Sequence, residues 1–290
     1  MSANGLPLMA GTGSLVRPVR ATRRLAIRPL IVLSSAVLLL VLAWAFAPGL
    51  FTHANPLLGV PRDALQAPSS VHWFGTDHLG RDLYARTVYG TAASLQATAL
   101  AVAIALVVGS VLGTIAGFFG GVLDAIAMRA MDVLMAIPNL LLSMAIVTVL
   151  GFGTVNIAIA VGLSSVATFA RLARGEVLRW RVSPFVEAAA AGGVRTPAII
   201  WRHIVPHAAG PVFALAALEF GSAVLAVSSL SFLGFGTPPP RPEWGLLISE
   251  GRNYIAAAWW YTALPGLVVV AVVLSANQLA RFIQDIGDTR

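Results

Sequence analysis

The feature that most limits how this chain can fold is a series of long apolar runs, the cleanest being PLIVLSSAVLLLVLAWAFA at residues 29–47. A helix needs about 20 apolar residues in succession to cross the hydrocarbon core of a bilayer. Further runs of that order lie at about 92–119, 126–150, 155–172, 209–235 and 262–284. Charged residues make up 11% of the chain, against roughly a quarter in a soluble domain. There is too little polar surface to cover a water-soluble globule, which argues against a soluble enzyme, a disordered chain or a nucleic-acid-binding domain. The pattern predicts an all-α polytopic membrane protein with six transmembrane helices. Its parts read as an N-terminal arm (1–28), a first span (29–48), a long segment on the far side (49–91), a core of spans (92–284) enclosing a loop at 173–208, and a tail (285–290).

The net charge of +7 is carried entirely by arginine, for all 19 basic residues are Arg and the chain has no lysine. Six spans put both termini on one side. That side holds fourteen arginines, from Arg17, Arg20, Arg23, Arg24 and Arg28 in the arm to Arg281 and Arg290 in the tail; the other holds Arg62, Arg81, Arg86, Arg241 and Arg252. Basic residues concentrate on the cytoplasmic side of membrane proteins, so both termini are expected in the cytoplasm, and the basic balance reads as topology rather than nucleic-acid binding. Ala45-Phe46-Ala47 resembles a signal-peptidase site, but the long polar lead and long apolar core favour an uncleaved anchor. Without lysine there is no Schiff base, Ser–Lys dyad or P-loop, so any ATP site must lie on another chain. Without cysteine there is no disulfide or thiolate metal site.

The most informative polar stretch is SPFVEAAAAGGVRTPAIIWRHIVPH, residues 183–207. Ser183-Pro184 reads as an N-cap with proline in the first turn, and Gly192-Gly193 as a helix stop. Thr196-Pro197 starts a second piece that Pro206 is expected to close. A helix of two turns is marginal alone in water, so the first piece needs something to dock against. Its small alanines, with Phe185 beside them, would let a partner backbone come close.

Glu187-Ala188-Ala189, three residues, Gly193, nine residues and then His203-Ile204-Val205-Pro206 resembles the EAA loop of ABC importer permeases, with His203 and Val205 as departures from the general pattern. FGTDHLGRDLYAR (74–86), AGFFGGVLDAIAMRAMDVLMAIP (116–138), SLSFLGFGTPPPRPEWG (229–245) and the tail from Asn277 to Arg290 resemble segments of the C-type permease of dipeptide, oligopeptide and nickel importers. Arg281 and Thr289 depart from that tail, and Val227 stands where many members carry Glu. The resemblance covers most of 72–290 and implies the type I importer permease fold in a bacterial plasma membrane. It further implies a homologous second permease, one or two ATPase subunits or a fused double ATPase binding ATP and Mg, and an extracytoplasmic substrate-binding protein. Phe185, Glu187, Ala188, Ala189, Gly193, His203 and Pro206 would then couple the spans to the ATPase. Gly75, Thr76, Asp77, Gly80, Arg81 and Asp82 form the family motif outside. The substrate is a peptide or, in the alternative, nickel or another small solute.

Other features leave two readings each. Gly109, Gly113, Gly117 and Gly121 recur every four residues and form a smooth ridge for close helix approach, within the chain or against the second permease. Asp124, Arg129 and Asp132 read as a local charge cluster, and Pro138 as a kink or break in the third span. Glu219, well inside the fifth span, lines a path or pairs with an arginine. The group Asp77, His78, Arg81 and Asp82 reads as an internal ion-pair network in which Asp77 caps the turn before the next helix; the competing class is an intramembrane enzyme using that loop. His203 and His207 lie four apart without an H-E-x-x-H pattern, which argues against zinc. Trp244, Trp259, Trp260 and Tyr261 suit a helix lying at the membrane interface.

Overall fold

The computed structural model describes residues 23–287, with side chains from 29 to 284. The rest of the arm and of the tail lies outside the described residues. The regular elements of the described residues are all helices, apart from one isolated bridge between Thr76 and Asp82. Five helices are long and apolar enough to cross a membrane: α1 (Arg23–Phe46), α2 (Leu83–Phe119), α5 (Thr154–Arg181), the rod made of α7 (Thr196–Ile199), a π turn (Ile200–Ile204) and α8 (Val205–Phe232), and α10 (Trp259–Gly287). The apolar pair α3 (Gly121–Ala136) and α4 (Asn139–Leu150), bent by 97° at Ile137-Pro138, has the form of a broken span or of a re-entrant loop. At 1.5 Å per residue neither piece alone covers a core of about 30 Å. Ile137 is extended (φ −96°, ψ 129°) because the ring of Pro138 disfavours helical backbone in the residue before it. The single helix expected at 126–150 is therefore two pieces.

The helix expected from about 92 starts at Leu83, because most of residues 83–91, Arg86, Thr87 and Thr91 among them, are buried against protein and need no lipid-like composition. Asp82 begins it, its Oδ1 accepting from the Ala85 N–H at 2.7 Å. The smooth ridge proves to be an intrachain contact. An added Cβ at Gly109, Gly113 or Gly117 would come within 2.5 Å of Phe169, 2.2 Å of the Ala170 carbonyl and 2.9 Å of the Arg174 carbonyl. The register rises on both helices together, so α2 and α5 run parallel. Gly121 is not part of this ridge; it opens α3, with open space around it.

One apolar core joins Ala97, Ala101, Val147, Ile157, Val161, Ala223, Val227 and Leu230. Val227 is 1% exposed there, so a carboxylate at that position would be buried among hydrocarbon. A second core joins α1 to α2, α8 and α10 through Val41, Trp44, Val88, Val224 and Val272, with Trp244 of α9 (Trp244–Gly251) at its centre. Trp244 is fully buried and donates its indole N–H to the Thr87 carbonyl at 3.2 Å. It is a core anchor rather than an interfacial aromatic; of the four aromatics expected at the interface, Trp259 is the exposed one. Large apolar side chains face outward elsewhere, among them Val32, Leu39, Val107, Val122 and Val149, as a lipid-embedded or partner-covered bundle requires.

Candidate functional site

Two polar regions sit at opposite ends of the bundle. At one end α5 is followed by a helix of eight residues, α6 (Pro184–Ala191). Ser183 stands at the N-cap in extended conformation, but its hydroxyl donates to the Trp180 carbonyl at 2.6 Å and so closes α5 rather than opening α6. Gly193, at φ +79°, ends α6, with Val194 N–H bonded to the Ala189 carbonyl at 3.1 Å. That left-handed conformation is cheap for glycine and strained for a side chain. Only Val186 of α6 is buried, packing on Val177, Ile199 and Ile204. Phe185 tilts against Trp180 and His207, with centroids 6.1 and 5.0 Å away. Glu187, Ala188 and Gly193 are exposed, and Ala189 is half-buried.

The second piece of this loop does not end at Pro206, as expected, but runs on into α8. Pro206 has no N–H to donate, and the helix absorbs the defect in a π turn closed by Val205 N–H on the Ile200 carbonyl. His203 is half-buried, and the His207 ring donates to its carbonyl at 2.7 Å. Asp124, Arg129 and Asp132 do not pair with one another. Asp124 instead takes a two-pronged bond from Arg174 at 2.5 and 2.6 Å, and Asp132 one from Arg171 at 2.5 Å, both reaching across from α5.

At the opposite end, residues 48–82 fold onto α9 and α10 around buried charges. Asp77 is wholly buried. Its Oδ1 accepts from the Leu79 and Arg81 N–H groups at 2.8 and 2.9 Å, and its Oδ2 from Arg81 Nε at 2.5 Å. Arg86 Nε lies 3.6 Å from the same carboxylate, and Arg86 Nη2 donates to Glu250 at 3.1 Å. Tyr261 donates to Glu250 at 3.1 Å and meets His78 Nδ1 at 3.1 Å. His72 meets Asp82 at 2.8 Å. Thr76 donates to the Asp63 carbonyl at 2.5 Å, Gly75 abuts Trp260, and the Gly80 carbonyl accepts from Val60 N–H at 3.2 Å. Asp77 thus caps the 79–81 turn, while Asp82 caps the helix. A carboxylate with both oxygens occupied and no exposed surface cannot serve as a general base, so Asp77 has a structural role. Glu250 and Tyr261, more than 160 residues away along the chain, carried no local signal.

Between the two ends, Glu219 shares a narrow groove with Ser165, Phe169 and Ala105. Among the described residues it makes no ion pair or hydrogen bond, so the arginine-partner reading finds no support there.

Residues 109–290 match the family described as binding-protein-dependent transport system inner membrane component, and the chain belongs to that family. Among its relatives, the dipeptide transport system permease protein DppC of Alkalihalophilus pseudofirmus is 39% identical over 92% of this chain and 86% of its own length. The probable D,D-dipeptide transport system permease protein DdpC of Escherichia coli is 37% identical over 96% of each chain. A glutathione transport system permease protein, GsiD of Pectobacterium atrosepticum, is 35% identical over 78% of this chain and 75% of its own. A crystal structure of an amino acid ABC transporter with histidines superposes at TM-score 0.52 over 68% of this chain and 92% of that one, at 17% identity. It supports the fold: an all-α, multi-span ABC permease.

Proposed function

We propose that this chain is one of two permease halves of an ATP-driven importer of short peptides in a bacterial plasma membrane. The observation that carries the coupling role is α6: a two-turn helix held by one buried side chain, Val186, with Glu187, Ala188 and Gly193 turned outward. A helix that short gains its stability from contacts, and an ATPase groove would supply the missing ones. ATP and Mg then belong to one or two partner ATPase subunits, or to a fused pair, and a binding protein delivers substrate at the other end. The arginine distribution supports placing α6 and both termini on the cytoplasmic side. The names of the relatives favour peptides over nickel. Glu219, unpaired among the described residues, is assigned to the path.

Co-expression with a candidate ATPase subunit tests the coupling role: affinity capture of the intact permease should retain the ATPase, and capture of Gly193→Val should lose it. Retention by the variant would remove the assignment. Uptake of labelled dialanine and of nickel by the assembled transporter separates the two substrate readings.

A further inference from the structure

A cavity of about 500 Å³ opens at the end opposite α6, between the outer part of α2, the first turn of α5 and residues 237–243. That volume falls in the range of roughly 300–1,000 Å³ typical of small-molecule sites. Gln96, Asn156, Thr237 and Arg241 supply its polar wall, Leu100 and Phe152 its apolar one.

Its floor is built and fixed. Glu243 is 1% exposed; its carboxylate accepts from Ser231 Oγ at 2.5 Å and from Thr154 Oγ1 at 3.3 Å. Thr154 and Thr237 join hydroxyls beside it. Burial pushes the Glu243 carboxyl above the usual carboxylate range, partly offset by these bonds, which biases the floor toward the neutral acid. Asn156 commits its amide N–H groups to the Leu150 and Gly151 carbonyls at 3.1 and 3.2 Å, holding that wall in place.

Arg241 differs from the other arginines at this end. Arg81 and Arg86 are committed to Asp77 and Glu250, Arg62 lies 3.9 Å from Asp63, and Arg252 covers the Phe232 ring at 5.8 Å. Among the described residues Arg241 has no such partner, yet it is exposed and lines the cavity. A guanidinium stays charged and presents a fork that matches a carboxylate. We propose that this cavity is an entry subsite for a short peptide, in which Arg241 holds the C-terminal carboxylate while the chain lies against Leu100 and Phe152. The inference rests on the peptide-importer reading and adds to it a position and a chemical handle.

The test uses the assembled transporter in lipid nanodiscs, titrated with dialanine and with dialanine amide. Losing a charge-assisted pair is expected to weaken dialanine about tenfold in Arg241→Gln. Arg241→Lys should recover part of that loss, and the amide should bind wild type weakly and be indifferent to the substitution. Equal dialanine affinity in wild type and Arg241→Gln, equal losses for both ligands, or no dialanine binding by wild type would overturn the subsite. So would weakened docking of the binding protein with peptide affinity intact, which would assign Arg241 to a protein carboxylate. Parallel uptake assays keep the two claims apart. Wild type that imports no peptide contradicts the importer reading, whereas undiminished import by Arg241→Gln contradicts the subsite alone.

Discussion

The two ends of the bundle solve opposite problems with similar residues. Away from α6, four charges (Asp77, Arg81, Arg86 and Glu250) are drawn into the interior and tie residues from distant parts of the chain into one unit. Around α6, the charged Glu187 stays outside, and the buried Val186 with the Phe185 ring on Trp180 and His207 holds the helix to the body. Buried ion pairs tolerate no movement, because separating them leaves uncompensated charge in a medium that solvates it poorly. A helix held by one buried side chain and one aromatic contact at its start, and ended by a glycine, can be shifted by whatever binds it. The difference teaches where the bundle can yield: the end away from α6 is built as a rigid plate, whereas α6 is lightly attached through α5 and the rod of α7 and α8.

The largest effect should follow from breaking the plate. Arg86→Ala leaves Asp77 and Glu250 short of a buried partner, a loss of about 3–5 kcal/mol, and should sharply lower the melting temperature of the detergent-solubilised protein. An unchanged melting temperature would show that the network is not structural. Next comes the contact that joins the ends. Gly113→Leu forces a side chain into the Ala170 carbonyl, where even a Cβ would stand at 2.2 Å, and overpacking of this kind costs about 1–3 kcal/mol. The melting temperature should fall less than in Arg86→Ala; a larger fall would make the parallel α2–α5 contact the stronger determinant. The smallest global effect is expected for Val186→Ala. Two methyl groups lost from a buried site amount to about 1.5 kcal/mol, felt by α6 alone. Hydrogen exchange should speed up across 184–193 while the melting temperature stays put, and protection that persists there would mean that α6 is held by more than Val186.

The spans were readable because lipid demands unbroken apolar length, and α6 because proline and glycine punctuate it. What escaped the sequence was what depends on protein contacts. Residues 83–91 look too polar for a span, yet are helical because they pack on protein. Trp244 carries the same composition signal whether it meets headgroups or a core, and only its burial decides. Glu250 and Tyr261 reach Arg86 and His78 through folding, with no spacing to betray them. Pro206 is a helix stop by local rules, but the apolar rod continues and a π turn accommodates it. The acids Asp124 and Asp132 share a helix with Arg129 but bond across to α5.

The central claim is that α6 transmits the work of an ATPase to the spans. ATP-dependent peptide uptake by the assembled importer in proteoliposomes, wild type against Gly193→Val, tests it most directly. Forcing a β-branched residue to φ +79° costs about 1–3 kcal/mol of local strain. The account predicts a fold that melts near the wild-type temperature and uptake that is all but lost. Full uptake by a variant with a demonstrably altered α6 would contradict it.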